Sequence, residues 1–174
     1  MTPSIAVAAL QILIGLAFVS IPWVRARYGP RAQAAAEAEL TRQGVRPEIL
    51  GENKLRFDHG GHETIVPVTV ALVMGACAAL NIAGASIATP ANWIFQTLVL
   101  LGNAAILYSN LTAVKGVETA FAKKGGELAA IDVKAFLTAA ENAFPKWVFS
   151  ILQNIRHVIA FGGSIAILII TAVA

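Results

Sequence analysis

Apolar and polar positions alternate along this chain on a scale too long for a soluble amphipathic helix. Four apolar runs, approximately Ile5 to Trp23, Ile65 to Ala88, Ala91 to Ala113 and Val148 to Val173, each approach the ~20 helical residues that cross a hydrocarbon core. Between them lie two long polar stretches, about 24–64 and 114–146, and one short turn near Thr89 to Asn92. The pattern predicts an all-α integral membrane protein: a four-transmembrane-helix bundle forming a single domain over 1–174.

Inside the polar stretches the period shortens. Pro30 can open a separate helix over 31–44, which Gly44 would close; Pro47 permits another start, and Gly51 to Leu55 reads as a turn. Gly125 and Gly126 suggest a hinge or turn between short helical pieces. Arg156 and His157 fall near the start of the fourth run. A span beginning at Val158 leaves them at its edge, and that is the favoured reading. A span beginning near Lys146 encloses them and demands partners.

Composition supports the bilayer reading. Of 174 residues, 57% are hydrophobic and 13% charged, with a mean hydropathy of +0.70, too apolar for a soluble domain of this size. All 13 Lys and Arg residues lie in the two polar stretches or, for Arg156, where the fourth span begins. The positive-inside rule makes those stretches cytoplasmic and puts both termini on the non-cytoplasmic side. No basic residue precedes the first apolar run, and Arg25, Arg27 and Arg31 follow it, the reverse of a cleaved signal, so the run is expected to be a permanent anchor. The net charge of +3 needs no nucleic-acid partner, because attraction to anionic lipid heads accounts for it. The compact loops suit a bacterial inner membrane.

Within the spans, Gly75, Ala76, Ala79, Ala83 and Gly84 allow close helix contact. Gln96, Asn103 and Asn110 are spaced by seven and share a face that hydrocarbon disfavours, so it should turn toward a bundle or subunit interface or line a polar cavity. Cys77, alone in the sequence, reads as a small packing residue.

The chemistry concentrates in "LRFDHGGHETIVP", residues 55–67. His59 and His62, flanked by Asp58 and Glu63, would need a third or fourth convergent ligand, and with His157 the only other histidine and no cysteine cluster no metal is assigned. Arg25 and Arg56 offer guanidinium forks to carboxylates, and Glu63 can accept from an amine. Together they would suit a zwitterionic, net-negative small molecule. A structural pairing of Arg56 with Asp58 or Glu63 uses the same residues.

"RFDHGGHETIVP" resembles the start of the second transmembrane helix in the membrane-associated proteins in eicosanoid and glutathione metabolism (MAPEG). Arg56, Glu63, Thr64, Ile65 and Pro67 fall in step with that family's motif, and "WVRARYG" at 23–29 is similar to its basic exit from the first helix. The resemblance implies a MAPEG-like homotrimer of four-helix subunits that binds glutathione through Arg25, Arg56 and Glu63. It implies a glutathione-dependent transferase or isomerase whose lipophilic electrophile arrives through the bilayer, with Asn103 or Tyr108 near the reacting sulfur. Gly60 stands where the family has asparagine, and after the third span the nearest basic group is Lys115 rather than arginine. The alternative is a noncatalytic integral-membrane subunit or scaffold of a larger complex.

Overall fold

The computed structural model describes residues 2–53, 55–57 and 62–173, leaving aside the side chains of His62 and Glu63. The chain is helical, with no strand among the described residues: α1 (Pro3–Arg42), α2 (Ile49–Glu52), α3 (His62–Ile82), α4 (Ala88–Leu111), α5 (Ala113–Lys124), a 3-10 turn (Gly126–Ala130), α6 (Val133–Asn142), a π-helical turn (Val148–Leu152) and α7 (Gln153–Val173). Four helices are long and apolar enough to cross a membrane: α1, α3, α4 and the continuous segment Val148–Val173. This is the composition expected of a multi-pass membrane protein.

One local expectation changes. Pro30 does not begin a new helix, for α1 runs unbroken through Pro22 and Pro30 to Arg42. A proline deletes one backbone donor, and the high helix propensity of "RAQAAAEAEL" carries the helix onward. In the fourth apolar segment helical structure starts at Val148 and includes Arg156 and His157.

Contacts group the chain into two compact units, the first comprising Met1–Pro22, Gly61–Leu107 and Phe149–Ala174, the second Trp23–Gly60 and Tyr108–Val148. In the first unit, Val7, Ile14, Phe18, Met74, Val99, Ala160 and Ile167 form the apolar core. Gly163 lets a neighbouring helix approach, since a Cβ there would stand 3.2 Å from Cδ1 of Ile14. The α3–α4 turn closes on Gly84, whose φ of 66° suits glycine. The amide of Ala85 donates to the carbonyl of Leu80 (3.1 Å) and that of Gly84 to Asn81 (3.2 Å), a Schellman closure. The small residues Gly75, Ala76, Ala79, Ala83 and Gly84 are exposed, and a Cβ on Gly75 would meet nothing within 4 Å. Among the described residues nothing packs closely against Gly75.

The second unit is built from the polar stretches. Gly44, at φ 75°, ends α1; Val45 then donates to the carbonyl of Leu40 (2.9 Å), and both side chains enter a core with Ala32, Ala36, Leu50, Phe121, Leu128 and Phe136. Asp132 caps α6 by accepting from the amide of Ala135 (3.0 Å). Gln43 clamps the same residue: its Oε1 accepts from the Asp132 amide (2.8 Å) and its Nε2 donates to the Asp132 carbonyl (3.3 Å). Arg46 links Glu52 and Glu127, and Lys124 donates to Oδ1 of Asn53 (2.9 Å). The two polar stretches therefore hold one another in a common fold.

Candidate functional site

The opening motif is only partly visible. Asp58, His59, Gly60 and Gly61 lie outside the described residues, as do the side chains of His62 and Glu63; the backbone of Glu63 belongs to the first turn of α3. What precedes it is well anchored in the second unit. Phe57 donates its backbone amide to Oε1 of Gln33 (3.0 Å), and its ring meets Phe136 edge-on at 5.5 Å. Between these anchors and α1, Nη2 of Arg25 donates to the carbonyl of Arg56 at 3.1 Å. The two arginines singled out as carboxylate ligands are thus neighbours, 31 positions apart in sequence and joined through backbone. Arg56 is exposed and Arg25 half-buried.

Near this pair, Tyr28 packs with Phe144 and Trp147, ring centroids 6.4 and 6.3 Å apart. Aromatic rings beside Arg27 and Lys146 match the amphipathic chemistry of a membrane–water boundary.

Asn103 and Tyr108, the candidates nearest a reacting sulfur, stand in different surroundings. Five residues on a helix separate two side chains by about 140°, so they occupy different faces of α4. Tyr108 is 69% exposed and Asn103 4% exposed. Asn103 belongs to the first unit, where its Oδ1 lies 3.1 Å from Nδ1 of His157. The amide face of span three is therefore split: Gln96 and Asn103 are buried, whereas Asn110 is exposed.

Gln96 and Asn103 are part of a larger set of buried polar groups. Nε2 of Gln11 donates to Oδ1 of Asn92 at 2.8 Å. Nδ2 of Asn81 divides its hydrogens among Oδ1 of Asn92 (2.9 Å), Oε1 of Gln11 (3.1 Å) and the carbonyl of Cys77 (2.8 Å). Nδ2 of Asn92 returns a bond to Oδ1 of Asn81 at 3.1 Å. Further along, Ser164 donates to Oε1 of Gln96 (2.9 Å), whose Nε2 faces the Met74 sulfur (3.4 Å). Arg156 donates from Nε to Oγ of Ser20 (2.7 Å) and from Nη2 to its carbonyl (3.3 Å). A charge on an apolar helix needs such partners.

Sequence reasoning passed over Gln11, Asn81, Asn92 and Ser164. Gln11 and Ser164 are lone polar residues within apolar runs, and Asn81 and Asn92 stand near the two ends that meet at the α3–α4 turn. Their common feature, an uncharged hydrogen-bonding group on a hydrophobic helix, is the signal that could have found them.

Set against family models, curated proteins and solved structures, the chain matches none. The site must be argued from its own residues.

Proposed function

We propose that this is a multi-pass membrane protein whose Arg25–Arg56 pair binds the carboxylates of glutathione or a comparable anionic thiol, in a glutathione-dependent transferase or isomerase acting on a lipophilic electrophile. The supporting observation is the 3.1 Å bond from Arg25 to the Arg56 backbone, which brings the Arg25 guanidinium to the chain segment that carries the MAPEG-like pattern. Guanidinium forks pair with carboxylates two bonds at a time. In this reading the basic second unit is cytoplasmic and the termini lie across a bacterial inner membrane, as the positive-inside bias requires. Glu63 accepts from the ligand's amine.

A second reading is favoured by a different observation. The exposed stripe Gly75, Ala76, Ala79, Ala83 on α3 has the small-residue spacing with which membrane helices associate. It supports assembly, as a homotrimer in the enzymatic reading or with other subunits if the chain is a noncatalytic scaffold.

Calorimetric titration of glutathione into detergent-purified protein tests the first reading, beside Arg25→Ala, Arg56→Ala and Glu63→Ala. Saturable binding weakened by about tenfold or more in each variant is expected, since each substitution deletes a charge-assisted bond. Folded wild-type protein that binds no glutathione leaves the noncatalytic-subunit reading in its place.

A further inference from the structure

Several acids of the second unit have evident partners. Glu39 pairs with Arg42, Glu52 and Glu127 pair with Arg46, and Asp132 caps α6. Glu37 and Glu48 enter no salt bridge among the described residues, yet both line a single groove of about 720 Å³ that Arg56 also borders. That volume lies within the range of small-molecule sites. Every residue lining the groove belongs to the second unit.

One side chain ties the rim together. Oε1 of Gln33 accepts from the amide of Phe57 (3.0 Å), and its Nε2 donates to Oε1 of Glu37 (2.8 Å). The backbone next to Arg56 and the Glu37 carboxylate are thus fixed to the same amide group. Leu55 anchors the intervening segment by donating to the carbonyl of Leu50 (2.8 Å). Gln33 occupies only one oxygen of Glu37. Glu48 directly precedes α2, but its side chain caps no amide there. Pro47 and Leu55 add apolar surface to the lining.

The charges of the lining select the ligand. A carboxylate only accepts and a guanidinium only donates, through five N–H groups that serve more than one partner at a time. One guanidinium against two carboxylates leaves the groove net negative. Its complement carries one carboxylate, two cationic nitrogens and a net positive charge, whereas a net-negative molecule meets like charge at Glu37 and Glu48. We propose that the groove binds a small basic amino acid, whose carboxylate pairs with Arg56 and whose two cationic nitrogens pair with Glu37 and Glu48. The site shares Arg56 with the glutathione reading. Glu37, Glu48 and Gly51 have no part in that reading, so failure of glutathione to bind leaves this proposal standing.

Gly51 supplies a way to close the groove. It is a helical residue of α2 in the lining, and a Cβ there would meet nothing within 4 Å. Gly51→Leu therefore fills the space without a clash, and leucine is the better helix former. The test titrates the detergent-purified full chain with L-arginine at low ionic strength, where exposed charges are least screened. Agmatine, which lacks the carboxylate, and N-acetyl-L-arginine, which lacks the α-ammonium, are the controls. Saturable binding of L-arginine is expected, about tenfold or more tighter than either control, since each has lost one charge-assisted contact. Glu37→Gln and Glu48→Gln should each weaken it by about tenfold, and Gly51→Leu should abolish it, with circular dichroism confirming the fold. If a variant fails to fold, the three-ligand comparison on wild-type protein decides. Equal affinity for the three ligands overturns the proposal, as does absence of saturable L-arginine binding by folded wild-type protein. Affinity unchanged in folded Gly51→Leu also overturns it, because the ligand then sits elsewhere.

Discussion

The two units obey opposite rules. All six buried polar side chains among the described residues, Gln11, Asn81, Asn92, Gln96, Asn103 and Ser164, belong to the first unit, whose exterior carries Leu16, Leu72, Leu98, Leu101 and Val158. The second unit buries alanine, leucine, isoleucine and phenylalanine and holds every charged residue of the chain except Glu63 and Arg156. The solvent explains the inversion. In lipid, apolar surface loses nothing by exposure, while polar groups must find partners inside. In water, apolar burial is the main driving force and charges belong outside. One chain therefore needs two stabilising chemistries, and substitutions should expose the difference.

The largest effect should come from emptying the water-type core. Phe136 is 2% exposed and meets Phe57, so Phe136→Ala is expected to cost about 3–5 kcal/mol. Hydrogen exchange should show the loss in α6 and the C-terminal part of α1, with α3 protected as before. Loss of protection in α3 to the same extent would mean that the units do not respond separately.

A smaller effect is expected where the lipid-type unit is held by polar contacts. Asn81→Leu strips bonds from Gln11 and Asn92 and should cost about 1 kcal/mol, in keeping with the modest strength of interhelical hydrogen bonds in membranes. Reversible unfolding in mixed detergent measures it. A leucine variant as stable as wild type would show that burial of these amides contributes no net stability.

The smallest effect is one of pH, confined to the second unit. Hydrogen bonds from Arg42 and then Gln43 hold the Glu39 carboxyl at about 2, against an ordinary 4.5. Its folded value is depressed, so the stabilisation is complete above about 4.5 and is lost as pH falls toward 2. Because the site faces solvent, the change should be slight. Exchange rates at the end of α1 should rise over that window, and Glu39→Gln should flatten the response.

Several features were legible in residue order because they depend on local chemistry. Gly44 ends α1 where a left-handed residue was needed, and Gly125 and Gly126, both at positive φ, mark the break between α5 and the 3-10 turn. The Pro30 boundary failed because a run of strong helix formers outweighs one missing donor. The partner of Arg156 was not legible for another reason: Ser20, which accepts its hydrogen, lies 136 positions away. The candidate site divides the same way. That Arg25 and Arg56 suit an anion follows from their side chains, whereas their adjacency rests on a bond to the backbone of Arg56, which no side-chain pattern encodes.

Sequence by itself determined the class of protein: all-helical, with four helices suited to a bilayer. The hydrophobic length needed to cross lipid and the backbone's demand for internal hydrogen bonds are properties of contiguous residues. Only tertiary structure decided which polar groups inside those helices meet. Gln11 with Asn92, Gln96 with Ser164, and Asn103 with His157 are paired across long separations. A hydrogen bond requires both partners within about 3 Å, and that proximity is created by the packing of one helix against another.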